Sequence, residues 1–313
     1  MTIRKHLLIA GAIALPLVMA LAACGSDDKG QLEGSVKADG SSTVGPLTSV
    51  AAELYAEEQP KVKVSVGTSG TGGGFEKFCN GEIDIADASR PIKDTEKAAC
   101  DAKGIKYAEL EVANDALSVV VNKNNDFVDC LTTEQLKKIW DKDSPVDNWN
   151  DVDSSFPDKK LSLFGPGTDS GTFDYFTKEI NGEEKRSTTN YTPSEDDNLL
   201  VQGVSADEGA LGYFGFTYFE ENTDKLKALK IDSGNGCVAP SVETAQDGTY
   251  APLSRPLYVY VSDKALEREE TIDFVEFYID NIDDVVNEAK YVPLTDAQKT
   301  ELSKQYEAVK AKA

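Results

Sequence analysis

The chain has 313 residues, with 32 Lys and Arg against 55 Asp and Glu and a formal charge of −23. This excess of acid argues against nucleic acid and anionic membrane surfaces as partners, since like charges repel at long range. It leaves an anionic small ligand open, because a buried pocket obeys its own nearest dipoles and charges. The single histidine, His6, lies in the basic N-terminal stretch just before an apolar run. The rest of the chain is therefore without Ser-His-Asp or Cys-His catalysis, His-ligated zinc or haem, and the commonest general base.

The N-terminal segment reads as an export signal. MTIRKH carries positive charge, LLIAGAIALPLVMALAA is apolar and LAAC closes the run, so residues 1–23 are expected to be removed just before Cys24. A retained transmembrane anchor is the competing reading, disfavoured by Pro16 and by the cleavage-like ending. LAAC resembles the bacterial lipobox, which implies a diacylglyceryl thioether on Cys24 as the only membrane contact. GSDDKGQLEGS then reads as a tether, residues 24–34, poor in apolar side chains.

About 280 residues remain, enough for two domains or one large α/β unit. Four cysteines fall in them, and an even number in an exported chain points to disulfides. Three pairings are open. The local choice, Cys79–Cys100 with Cys130–Cys237, is expected, one bridge in each half of the chain. A four-thiolate metal site competes but lacks close CxxC pairs. No metal, cofactor or catalytic residue is expected.

In chain order, a strand is expected near Ser35–Ala38, ending at DGSSTVGP. Leu47, Val50, Ala51, Leu54 and Tyr55 recur at helical spacing and predict a helix that stops by Pro60. KVKVSV (61–66) alternates as a strand, GTSGTGGG follows it, and FEKFCNG opens a second helix. DIADASRPI is strand then loop, and YAELEVANDALSVVVNK is a long β-prone run. LTTEQLKKIW (131–140) predicts a helix capped by Thr132 or Thr133, followed by an acidic loop through Pro157. KLSLFG is a strand, and GPGTDSGTFDYFTKEI is loop then helix. EGALGYFGFTYFE reads as a turn into a buried strand or strand–helix edge, and TYAPLSRPLYVYVSD (249–263) as an extended apolar segment. LEREETIDFVEFYIDNIDDVVNEA and the charged tail are helical.

Three times a β-like segment runs into a Ser/Thr/Gly turn that opens a helix: at Ser41–Thr43, at Ser69–Gly73 and at Ser170–Thr172. The first turn of a helix leaves backbone N–H groups unpaired and favours negative charge. Glycine admits an oxyanion to those groups, and hydroxyls add donors. A single such turn is usually only a cap, whereas three can converge on a tetrahedral anion. GTSGTGGG lacks the GK[ST] ending of a nucleotide loop. Arg90, after Ser89 and before Pro91, is the expected positive charge. Arg255 stands before Pro256 in the same way, and a hinge role is expected for it. A carboxylate near the anion would accept a proton from hydrogen phosphate and repel unprotonated sulfate. Asp169 is the first choice for it and Asp87 the second.

DGSSTVGP, GTSGTGGGFEKFCNGEIDIADASRPI, GPGTDSGTFDYF, GALGYFGFTYF and APLSRPLYVYV, in this order, resemble the phosphate-binding subunit of the bacterial high-affinity phosphate ABC transporter. The resemblance covers Ser35 to Leu294. It implies an α/β, class II periplasmic-binding-protein fold: two α/β lobes, a hinge and an interlobe ligand cleft. Lobe 1 would comprise residues 35–120 and 250–313, and lobe 2 residues 121–249. Each expected disulfide would then stay inside one lobe. Carried over by position, Ser42, Thr43, Ser69, Ser170, Gly171 and Thr172 would hold phosphate, with Ser89 and Arg90 from the third loop. The chain departs from many members in having Ser89 and Arg90 where they carry an Asp, and Pro166 where they carry an Arg. The arginine is therefore expected to have moved to position 90, and the carboxylate role to Asp169.

The resemblance implies a monomer outside the cytoplasmic membrane that binds inorganic phosphate and delivers it to permease subunits. The same fold tuned to another oxyanion, or a tethered phosphate sensor, is the nearest alternative. An exported phosphatase is the alternative from another class, against which the missing histidine counts.

Overall fold

The computed structural model describes residues 31–311. The export signal, Cys24 with its expected lipid, and residues 24–30 of the expected tether lie outside the described residues. Among the described residues no helix is long and apolar enough to cross a membrane.

The strands are β1 (Gly34–Gly40), β2 (Val62–Gly67), β3 (Ile85–Ala88), β4 (Tyr107–Asn122), β5 (Cys130–Thr132) and β6 (Ser162–Pro166). They continue with β7 (Thr192–Ser194), β8 (Ala210–Gly215), β9 (Leu226–Ala228), β10 (Lys230–Asp232), β11 (Cys237–Val238) and β12 (Ser254–Ser262). Nine of them form one mixed sheet in the order β2-β1-β3-β12-β4-β8-β6-β7, with β9 also on β4, and β11-β10-β5 form a second sheet.

β4 organises the molecule. Its first part, Tyr107 to Ala116, pairs antiparallel with β12, and its second, Leu117 to Val121, pairs antiparallel with β8. Its sequence shows the change. Burial alternates over Tyr107–Val112 and becomes continuous from Ala113 onward, where both faces are covered. The buried side chains divide at the same place. One cluster takes residues from Val36 to Ala113 and returns at Leu257, running to Tyr306, while another runs from Leu117 to Leu253.

β1, β2 and β3 are parallel, in register Ala38↔Val66 and Ala38↔Ile85. Parallel neighbours require crossovers, supplied by α1 (Gly45–Glu58) and α2 (Gly70–Cys79). α1 buries Leu47, Ala51 and Tyr55, three positions of the predicted stripe. α2 begins at Gly70, so the glycine run is the helix's first turns. Gly74 lies against the end of β1, where an added Cβ would come within 2.6 Å of Gly40 Cα. Close backbone packing thus outweighs glycine's poor helix propensity.

Sulfur bridges join Cys79 to Cys100, between α2 and α3 (Asp94–Ala102), and Cys130 to Cys237, between β5 and β11. The helix Thr133–Trp140 is capped by Thr132, whose Oγ1 accepts from Gln135 N at 3.1 Å. The acidic stretch read as loop contains the short helix Trp149–Val152, because Trp149 is fully buried and donates Nε1–H to Gly209 O at 2.9 Å. The long helix expected after Leu266 is broken at Asn281 into Glu269–Asp280 and Ile282–Glu288.

Candidate ligand-binding cleft

The C-terminal ends of β1, β2 and β3 deliver their following turns to one cleft of about 740 Å³, closed on its other side by the helix Gly171–Phe176 and the start of β12. Crevices at the carboxyl ends of parallel strands are the usual ligand site of open α/β sheets.

The first turn is held from below. Ser41 donates its N–H to Asp87 O at 2.9 Å, and Ser41 Oγ accepts from Thr43 N at 3.2 Å. Thr43 is nearly buried, and its carbonyl accepts from Tyr291 Oη at 2.7 Å. The second turn opens α2 with Gly70 and Gly72, where an added Cβ would meet nothing within 4 Å. The backbone there is bare toward the cleft. Ser69 lines the same wall, but its N–H and hydroxyl both donate to Asp39 Oδ1 at 2.8 Å. Burial works against the Asp39 charge, while Lys77 and Ser69 hold its carboxyl below the usual range. Thr71 Oγ1 lies 3.2 Å from both N and Oγ of Ser89, tying the second turn to the loop after β3.

In the third turn Gly171 alone faces the cleft. Ser170 caps its helix, Oγ accepting from Thr172 N at 3.2 Å, and Thr172 lines a separate cavity of about 170 Å³ behind the cleft. A Cβ on Gly171 would lie 2.5 Å from Thr43 Oγ1. The first and third turns, distant in sequence, therefore touch across the cleft floor.

Arg255 closes that floor. Its Nε donates to Asp115 Oδ2 at 3.2 Å, its Nη2 donates to Thr43 Oγ1 at 3.0 Å, and its guanidinium stacks 3.6 Å from the Tyr175 ring centre. Tyr175 is fixed in turn by donating Oη–H to Pro252 O at 2.6 Å. These bonds leave Nη1 for a ligand. Burial pushes the Asp115 carboxyl upward, and the adjoining guanidinium opposes that shift. Arg255, for which a hinge role is expected, thus also lines the cleft as a charged group.

Arg90 also lines the cleft, nearer its mouth, but it is engaged. Nη1 and Nη2 each donate to Glu96 at 2.8 Å, and the guanidinium lies 5.5 Å from the Phe75 ring centre.

The two expected carboxylates lie elsewhere. Asp169 is exposed and outside the cleft lining. Asp87 is fully buried behind the first turn, with Oδ1 accepting from Thr48 Oγ1 at 2.8 Å and Oδ2 without a partner. Burial pushes its carboxyl up to about 7, against the Thr48 hydroxyl and with the Asp39 charge adding to the shift. Of the carboxylates that line the cleft, Asp174 is the one with a buried oxygen, Oδ1, that has no hydrogen-bond partner. Burial raises its pKa; Lys185, 4.0 Å away, and Arg255 oppose the rise, and Glu184 and Asp169 add to it.

Ser42, Thr43, Ser69, Ser89, Arg90 and Gly171 are thus brought together as their motifs suggested. Arg255, expected as a hinge although LSRP has the same form as ASRP at Arg90, and Asp174, which no motif singles out, also line the cleft. Among the described residues no group of three or more His, Cys, Asp or Glu could hold a metal ion.

A nine-stranded mixed sheet, a smaller second sheet and a donor-lined cleft at the carboxyl ends of parallel strands make this an α/β fold of the substrate-binding kind. The model of the PBP superfamily domain matches residues 25–281, so the chain belongs to that superfamily. It is 52% identical to Protein SphX of Synechococcus elongatus over 262 residues, 83% of this chain and 77% of that one. It is 43% identical over 298 residues to the phosphate-binding protein PstS of Staphylococcus saprophyticus, covering 93% of this chain and 91% of that one. A crystal structure described as "a possible phosphate binding protein from Planctomyces limnophilus" superposes with a TM-score of 0.85 at 46% identity, covering 89% of this chain and 99% of that one.

Proposed function

We infer that the protein binds inorganic phosphate in this cleft, outside the cytoplasmic membrane, and delivers it to an ABC permease. The observation that carries the reading is the convergence of Arg255 with the first, second and third turns on one cleft. Identity of 43% to a phosphate-binding protein supports phosphate as the anion.

Micromolar binding requires about 8 kcal/mol, and a charge-assisted hydrogen bond contributes roughly 1.5–3 kcal/mol. One arginine is therefore insufficient. In this reading Arg255 Nη1 anchors the anion at the floor, Ser42, Thr43 and Ser89 donate from one side, and the backbone at Gly171 donates from the other. Ser69 contributes if its hydroxyl leaves Asp39. Ser170 and Thr172 hold Gly171 in place. Asp174, which lines the cleft, takes the proton-accepting role in this reading, with Asp169 exposed and Asp87 buried behind the first turn.

In this reading the buried clusters led by Val36 and by Leu117 belong to two lobes, with the chain crossing between them near Ala116–Leu117 and Leu253–Ser254. Closing of the lobes is then the working step, and the protein acts as a monomer tethered through lipid on Cys24.

Titration with phosphate, arsenate, sulfate and molybdate tests the reading. Phosphate is expected to bind at least a hundredfold more tightly than sulfate; equal affinity for the two would refute it.

A further inference from the structure

The cleft mouth carries a charge pattern that anion binding at the floor does not use. One lip, after β3, bears Arg90 and Lys93; the other bears Lys178, Glu179 and Glu184. Carboxylates beside an anion's entrance oppose its approach. Glu179 and Glu184 therefore work against binding as long as the cleft stands open.

The segment carrying Glu179 is irregular in a specific way. Thr177–Asn181 is a π-helical turn, a feature found mostly as single turns at functional sites. Buried Thr177 fixes it, its Oγ1 donating to Phe173 O at 2.8 Å and accepting from Lys185 N at 2.8 Å. Ile180 packs beneath, while Lys178 and Glu179 are exposed at the rim. Among the described residues, Lys93, Glu179 and Glu184 are exposed and make no ion pair. Arg90 is held in place by Glu96.

We propose that Glu179 and Glu184 pair across the mouth with Lys93 and Arg90 when the cleft closes, and that this charge latch sets how long the bound anion is retained. The inference rests on the reading of the cleft as a closing phosphate site. The floor is already in contact at Gly171 and Thr43, so further closure turns about that contact and brings the lips together. Paired, the two glutamates no longer repel the anion, and the lips exclude water above it. An ion pair formed only in the closed state slows opening more than it speeds entry.

The test is stopped-flow measurement of association and dissociation of inorganic phosphate, at low and high salt. The proteins are wild type, Lys93→Glu, the double variant Glu179→Lys with Glu184→Lys, and the triple variant combining all three substitutions. Each reversal alone is expected to raise the dissociation rate constant about three- to tenfold at low salt, and the triple variant is expected to recover most of the loss. Wild-type dissociation is expected to quicken with ionic strength. Acid reversals that change only the association rate would show entrance electrostatics and overturn the latch. Unchanged dissociation, or a triple variant no slower than the singles, would overturn it too. Wild type failing to bind phosphate at all would instead refute the phosphate reading on which the latch rests.

Discussion

Thr43 and Arg255, 212 residues apart in the chain, share a 3.0 Å hydrogen bond in which Nη2 donates to Oγ1. The bond links the turn that opens α1 to the strand that returns from the other buried core. Asp115 and Tyr175 complete the setting, so three segments fix one guanidinium. Its remaining donor is therefore aimed before any ligand arrives, which lowers the ordering cost of binding.

Arg255→Lys is expected to be nearly as damaging as removal of the side chain. A lysine supplies charge, but it cannot bond Asp115 and Thr43 in a fixed plane while also offering a donor to the anion. Calorimetry is expected to show phosphate affinity lowered by at least tenfold, and near wild-type affinity would mean that charge alone suffices.

Gly171→Ala tests the contact across the floor. The added Cβ meets Thr43 Oγ1 at 2.5 Å, within the two turns rather than inside either core. Phosphate affinity is expected to fall at least tenfold while the unliganded melting temperature stays within a few degrees of wild type. A large fall in melting temperature with intact affinity would place the contact in folding instead.

Asp174→Asn tests the carboxylate. Asparagine keeps the shape but removes the charge that repels sulfate, so the ratio of phosphate to sulfate affinity is expected to drop about tenfold or more. An unchanged ratio would remove Asp174 from discrimination.

Asp87 makes stability depend on pH in the direction opposite to a salt-bridged acid. Its folded pKa, about 7, lies above the ordinary value of 3.8. Between these values the folded state binds the extra proton, so its contribution to stability is fully present below about pH 4 and is lost as pH rises to about 7. The loss is on the order of 3–4 kcal/mol for a group so buried. Asp87→Asn keeps an acceptor for Thr48 and is expected to gain stability over wild type at pH 8 but not at pH 4. Denaturant unfolding at the two pH values checks this, and an equal effect at both would contradict it.

Local signals carried much of this architecture. The α1 stripe, the alternation of β2 and the cap at Thr132 are read within a few residues and appear as expected, whereas Ser170, expected to hold phosphate, caps its helix. The glycine run was legible as functional backbone but not as helix, since intrinsic propensity opposes helix there and only the contact of Gly74 with Gly40 explains it. Arg255 and Arg90 look alike in sequence. What separates them is a partner six residues away for Arg90, namely Glu96, and partners 140 and 212 residues away for Arg255, namely Asp115 and Thr43. Asp169 adjoins Ser170 in sequence but is exposed, whereas Asp174, one helical turn beyond Ser170, lines the cleft. Long-range pairing and side-chain direction are not local properties.

Arg255 rather than Arg90 is expected to anchor phosphate at the cleft floor. Calorimetric titration of phosphate into wild type, Arg255→Ala and Arg90→Ala tests it most directly. Arg255→Ala is expected to raise Kd by about a hundredfold, in line with loss of a charge-assisted bond and its preorganised setting, and Arg90→Ala by less than tenfold. The reverse order, with Arg90→Ala the more damaging, would make Arg90 the anchor instead.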